Sequence, residues 1–134
     1  MDNIPDSING VRFDREELLE KIDSDVEVLE QLFESCRDMV PEYLSTIKEV
    51  IGELSSNNKL STKSLNNLRF SAHSIKGCAY NLCFQRFGNI SKAIEFTARE
   101  WNDPDSELKG EMLPHLYDLL MEEWGHVLSA MKKG

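Results

Sequence analysis

The sequence predicts an all-α fold: an antiparallel up-and-down four-helix bundle with an extra short N-terminal helix. Three observations carry this. Apolar residues recur at alternating steps of three and four along four long stretches, the spacing that lays one stripe along a helix. No segment alternates with the period of two that a half-buried strand requires. Glycine and proline are few, seven and four in 134 residues, and the short links between periodic stretches set neighbouring helices antiparallel.

Residues 1–12 read as a flexible N-terminal arm, and residues 13–134 as a single helical bundle domain. A short helix starts near Asp14, with Leu18, Leu19 and Ile22 on its apolar side. Ser24 or Asp25 can cap the next helix. There Leu29, Phe33, Cys36, Val40, Tyr43, Ile47, Val50 and Leu54 keep one phase through Pro41. That continuity predicts one bent helix over about 25–56 rather than a break at the proline. Ser55-Ser56-Asn57-Asn58 is a loop by composition. A third long segment, about 62–81, is capped by Ser61 or Thr62, with Leu65, Leu68, Ala72, Ile75, Ala79 and Leu82 as its seam. After a short turn, Phe87, Ile90, Ile94, Ala98 and Trp101 mark another helix. Asn102-Asp103-Pro104-Asp105-Ser106 is a turn. The last helix, to about Lys132, carries Leu113, Leu116, Leu120, Trp124, Val127 and Met131, with Pro114 in its first turns or dividing off a lead-in helix.

Composition narrows the function. A net charge of −9 argues against a general nucleic-acid binder. No apolar run approaches the roughly 18 residues of a membrane span, and the first residues lack a signal-peptide pattern. Three cysteines without zinc-finger spacing read as reduced thiols, so a cytoplasmic location is expected. Between Lys59 and Arg99, seven cations face Glu95 alone. A basic segment in an acidic chain suits an anionic partner or product.

That segment holds Ser71-Ala72-His73-Ser74-Ile75-Lys76-Gly77. His73 follows a seam position by one residue, a rotation of about 100° that turns it out of the core. Its helical neighbours are Arg69, Lys76, Gly77 and Tyr80. Glycine inside a helix costs about 1 kcal/mol against alanine, and close approach by another molecule would offset that. A neutral imidazole supplies a nitrogen lone pair. Nearby cations offset the charge of a phosphoryl group. No carboxylate stands near His73 in sequence. The chain has no Gly-rich phosphate loop, no kinase signature and no carboxylate cluster for Mg²⁺ beside His73.

The Ala72–Gly77 stretch, with Phe33, Pro41, Leu44 and Ile47 upstream, resembles the histidine-containing phosphotransfer (HPt) domain of multistep His–Asp phosphorelays over roughly residues 14–131. The resemblance implies a phosphocarrier, not an enzyme. His73 would accept a phosphoryl group from a receiver-domain aspartyl phosphate and pass it to another receiver aspartate. Lys76 would neutralise charge and Gly77 give steric access. Arg69 and Tyr80 would support docking. Gln85 and Arg86 match a Gln-Arg pair of some members, whose glutamine lies near the imidazole and can orient it. The implied partners are response-regulator receiver domains and a hybrid sensor histidine kinase, met by a monomer. No cofactor of its own is implied, Mg²⁺ being expected on the receiver. Cys83 stands where the family usually has glycine, and Tyr80 is bulkier than usual.

Two other functions fit the same helices: a non-phosphorylated adaptor that binds receivers, and the phosphoacceptor domain of a chemotaxis-type histidine kinase. An adaptor has no need of the His73-Lys76-Gly77 set. His115 and His126 read as surface or boundary residues, and Glu123-x-x-His126 lacks the second pair that a di-metal bundle needs. Cys78 and Cys83 lie about 140° apart around a helix, which argues against a redox pair.

Overall fold

A computed structural model describes residues 9–57, 59–101 and 106–133. Within them the chain forms α1 (Arg15–Lys21), α2 (Val26–Asn57), α3 (Thr62–Asn81), α4 (Gln85–Arg99) and α5 (Ser106–Lys133), with no strand among the described residues. The fold is the all-α bundle that the periodicity predicts. No helix among the described residues is long and apolar enough to cross a membrane.

Helix starts follow side-chain caps. Asp14 accepts the Glu17 N–H at 3.0 Å to open α1. Asp25 accepts from Glu27 and Val28 at 3.0 and 3.2 Å to open α2, and Ser61 accepts from Ser64 at 3.1 Å to open α3. Each satisfies N–H groups that a helix terminus otherwise leaves bare. The Ser64 hydroxyl then donates to Glu53, tying the start of α3 to the end of α2. Pro41 and Pro114 sit inside continuous helices. Pro41 lies on the exposed face of α2, where water can satisfy the carbonyl that its missing N–H leaves free.

Pairs across the helices fix the direction of packing. Cys36 and Cys78 line one cleft, Tyr43 meets the edge of Phe70 and Glu53 meets Ser64, so α3 descends as α2 rises. His73–Glu95 and Tyr80–Asn89 run the same way, making α3 and α4 an antiparallel hairpin. Trp124, in the second half of α5, stacks on Phe87 at the start of α4 with ring centroids 5.5 Å apart.

The core collects the expected seams, with Leu44 buried in α2 and Tyr43 only partly so. Phe33, Phe84 and Phe87 are its largest fully buried side chains.

Residues 1–8 of the expected arm lie outside the described residues. Residues 9–13 are packed as a strap. The Arg86 N–H donates to the Val11 carbonyl at 3.1 Å, serving an α4 start whose N-cap, Phe84, offers no side-chain bond. Phe13 stacks on Phe84 with centroids 4.4 Å apart. Arg12 Nε donates to the buried Glu123 carboxylate at 3.2 Å, while His115 and His126 are exposed.

The link between α3 and α4 is tight. Cys83 adopts φ 63°, a left-handed conformation that costs a side chain roughly 1–2 kcal/mol. Its carbonyl accepts from Asp14 at 3.0 Å and its N–H donates to Tyr80 at 3.1 Å, so both backbone groups are used. Its thiol is buried and reaches Glu17 at 3.5 Å. The glycine that the resemblance leads one to expect at this position would suit a turn that needs positive φ.

Candidate functional site

His73 lies midway along α3 with its imidazole 63% exposed. The outward phase read from the seam is what the backbone delivers, because Ala72 and Ile75 on either side are fully buried. The ring is not free-standing. Nδ1 lies 2.8 Å from Oε2 of Glu95, which reaches across from α4. The other oxygen, Oε1, accepts from Lys76 Nζ at 2.6 Å, and Arg99 stands 3.6 Å from Oε2.

Glu95 is therefore the hub. Its side chain is only 6% exposed, and burial by itself pushes a carboxyl up. The hydrogen bonds from Lys76 and His73 override that effect and hold Glu95 below its ordinary value. An ionised Glu95 accepts, so Nδ1 of His73 carries the hydrogen and donates. In neutral imidazole that leaves the lone pair on Nε2, the nitrogen away from Glu95. One buried carboxylate thus fixes the ring's rotation and its tautomer together.

His73, Lys76, Glu95 and Arg99 line one open cleft with Asn66, Arg69 and Phe70. Three permanent cations against one carboxylate leave the cleft positive, a field that favours an anion. Phe70 is 63% exposed and held edge-on by Tyr43, with centroids 6.0 Å apart; it gives the rim an apolar shoulder. Gly77 is exposed, and a Cβ built there meets nothing within 4 Å. Its lack of a side chain leaves the surface beside His73 low, and the fold itself does not ask for it.

The remaining sequence candidates sit elsewhere. Gln85 opens α4, ten residues before Glu95, about 15 Å along the axis. It does not reach the imidazole, and the orienting role expected of it falls to Glu95. Arg86 donates to the Gly10 carbonyl at 3.1 Å and to Asn9 Oδ1 at 2.9 Å, so it secures the strap. Tyr80 donates to Asn89 Oδ1 at 2.6 Å and lays its ring over Gly88. These three residues build the lower half of the hairpin and line no part of the His73 cleft.

Sequence reasoning missed Glu95 and Phe70. Glu95 had a usable signal: it is the single acid between residues 59 and 99, and it directly follows the seam residue Ile94. An isolated carboxylate at a core edge must find a cation.

The Hpt domain family model matches residues 15–130, nearly the whole domain. The chain belongs to the Hpt domain family. Comparisons with curated proteins and with solved structures gave no match. Members of this family are phosphocarrier modules of two-component His–Asp phosphorelays that work with receiver domains and kinases, so this chain's role is phosphotransfer in such a relay.

Proposed function

We propose that His73 is the phosphoacceptor, taking a phosphoryl group from a receiver-domain aspartyl phosphate and passing it to an aspartate of another receiver. The observation that carries this reading is the combination at His73 of an exposed ring and an Nδ1 committed to Glu95. Nε2 attacks phosphorus in line, the bond to the aspartyl oxygen breaks, and the aspartate leaves as a carboxylate. The ring gains positive charge as the bond forms, and the ionised Glu95 against Nδ1–H stabilises it as a buried acid stabilises an imidazolium elsewhere. Reversal on a second receiver returns the ring to its starting tautomer.

Lys76 acts through position and charge. Bonded to Glu95 at rest, it keeps the carboxylate ionised and adds positive field at the cleft, with Arg69 and Arg99 behind it. Gly77 and Phe70 serve docking, the first by leaving room and the second by offering an apolar contact. The charged residues at the cleft are three cations and one committed carboxylate, which suits a carrier whose Mg²⁺ arrives on the receiver. We read the chain as a cytoplasmic monomer that meets a hybrid sensor kinase upstream and receivers on both sides.

The test is labelling by a phosphorylated receiver with Mg²⁺. The expected product is an acid-labile, alkali-stable phosphate at His73, and His73→Gln removes it with helix content unchanged. Label retained in that variant overturns the assignment. An unlabelled wild-type chain that still binds receivers would establish the adaptor instead.

A further inference from the structure

The bundle also holds two neighbouring thiols away from His73. Cys36 on α2 and Cys78 on α3 occupy the same level of the antiparallel α2–α3 packing, in register with Tyr43–Phe70. Both are free thiols, and both line one cleft of about 200 Å³ between the helices, with Leu32, Met39 and Asn81 beside them. Cys36 is buried and Cys78 half-buried, so an oxidant entering the cleft meets Cys78 first. We propose that Cys36 and Cys78 form a two-thiol oxidation site that reacts with hydrogen peroxide and closes to a disulfide between α2 and α3.

The chemistry balances with peroxide as the oxidant. The Cys78 thiolate attacks one oxygen of hydrogen peroxide, the O–O bond breaks, and the departing hydroxide takes a proton to leave as water. Cys78 is now a sulfenic acid. The Cys36 sulfur attacks it, the S–O bond breaks, and the hydroxyl leaves with the Cys36 proton as a second water. Two thiols lose two electrons and two hydrogens, and one peroxide is reduced to two waters.

The local electrostatics support the order of attack. The neighbouring Cys36 thiol outweighs burial and lowers the Cys78 thiol below its ordinary value. The Cys78 sulfur beside it and its own burial push Cys36 up. Cys83 is the built-in contrast: burial raises it, it lines no part of this cleft, and it faces Glu17 rather than another thiol.

The experiment treats the full reduced chain with hydrogen peroxide, alkylates the remaining thiols after unfolding, and maps peptides by mass. The expected result is an intact mass lower by two hydrogens, a bridged Cys36–Cys78 peptide, and Cys83 recovered alkylated. Cys36→Ser should stop the bridge and leave Cys78 as a sulfenic acid trapped by dimedone, whereas Cys78→Ser should give neither bridge nor adduct. A bridge to Cys83, covalent dimers, or recovery of Cys36 and Cys78 as free as Cys83 overturns the proposal. So does a wild-type chain in which Cys78 passes to sulfinic acid without closing.

Discussion

Gly77 and Gly88 belong to the two halves of one helical hairpin, and a methyl group added to each meets opposite surroundings. At Gly77 it finds open space. At Gly88 it would press into the Tyr80 ring. The half holding Gly77 is open and charged, with His73, Lys76 and Arg99 gathered on Glu95. The half holding Gly88 is closed, with Tyr80 pinned by Asn89 and the strap laid over Arg86. The same residue type therefore marks open surface in one place and close packing in the other. Only the structure separates the two meanings, because both glycines lie inside helices and both cost propensity there.

The largest effect on folding is expected in the closed half. Gly88→Ala forces a Cβ against a ring that cannot swing away without losing the Asn89 bond. Overpacking of this kind costs about 3 kcal/mol, visible as a lower denaturation midpoint with an unchanged slope. Adding Tyr80→Ala to that variant should restore part of the loss, since the clash disappears with the ring. A Gly88→Ala protein as stable as wild type would break the distinction between the two halves.

The next effect falls on Glu95. Glu95→Gln keeps the shape and one acceptor oxygen but discards the charge that Lys76, His73 and Arg99 share. A charge-assisted hydrogen bond contributes about 1.5–3 kcal/mol, which amounts to roughly tenfold to hundredfold in transfer rate if lost from the transition state. Rates measured with a fixed receiver, beside an unchanged helical spectrum, check this. The variant also has a pH signature. A carboxyl held below its ordinary value stabilises the fold above the unfolded value near 4.5 and loses that contribution as pH falls through the folded value. The stability gap between wild type and Glu95→Gln should therefore be full at neutral pH and close in acid, as pH falls below the unfolded value.

How much of this was legible in the sequence follows from what each residue answers to. His73 was readable because helical phase is local: one step past Ala72 fixes its direction, whatever packs behind. The continuity of α2 through Pro41 was readable for the same reason, since the apolar stripe keeps its register on both sides. Cys83 was readable as an oddity, and its left-handed φ is the physical content of that oddity. Glu95 was not readable as His73's partner, because the pairing spans 22 residues and depends on how α3 and α4 slide against each other. Gln85 was misplaced for the converse reason. Likeness suggested a neighbour of the imidazole, but a helix that begins at Gln85 puts that side chain at the wrong end. The strap over α4 escaped notice because hydrogen bonds from residues 9–12 leave no periodic trace in sequence.

The smallest expected effect on folding has the opposite sign. Gly77→Ala introduces a better helix former at a position where nothing obstructs it, so the domain should gain about 1 kcal/mol. For a chain of this length that is roughly 3–5 °C in the thermal midpoint. If the bare surface serves an incoming receiver, function should move the other way. Gly77→Ala should dock slightly less well, and Gly77→Gln much less, although both stay folded. Stability and receiver affinity measured on the same two proteins separate these contributions, because a residue kept for the fold would lose both together. Equal receiver affinity for Gly77→Gln and wild type would remove the close-approach argument and leave Gly77 without a role that its surroundings explain.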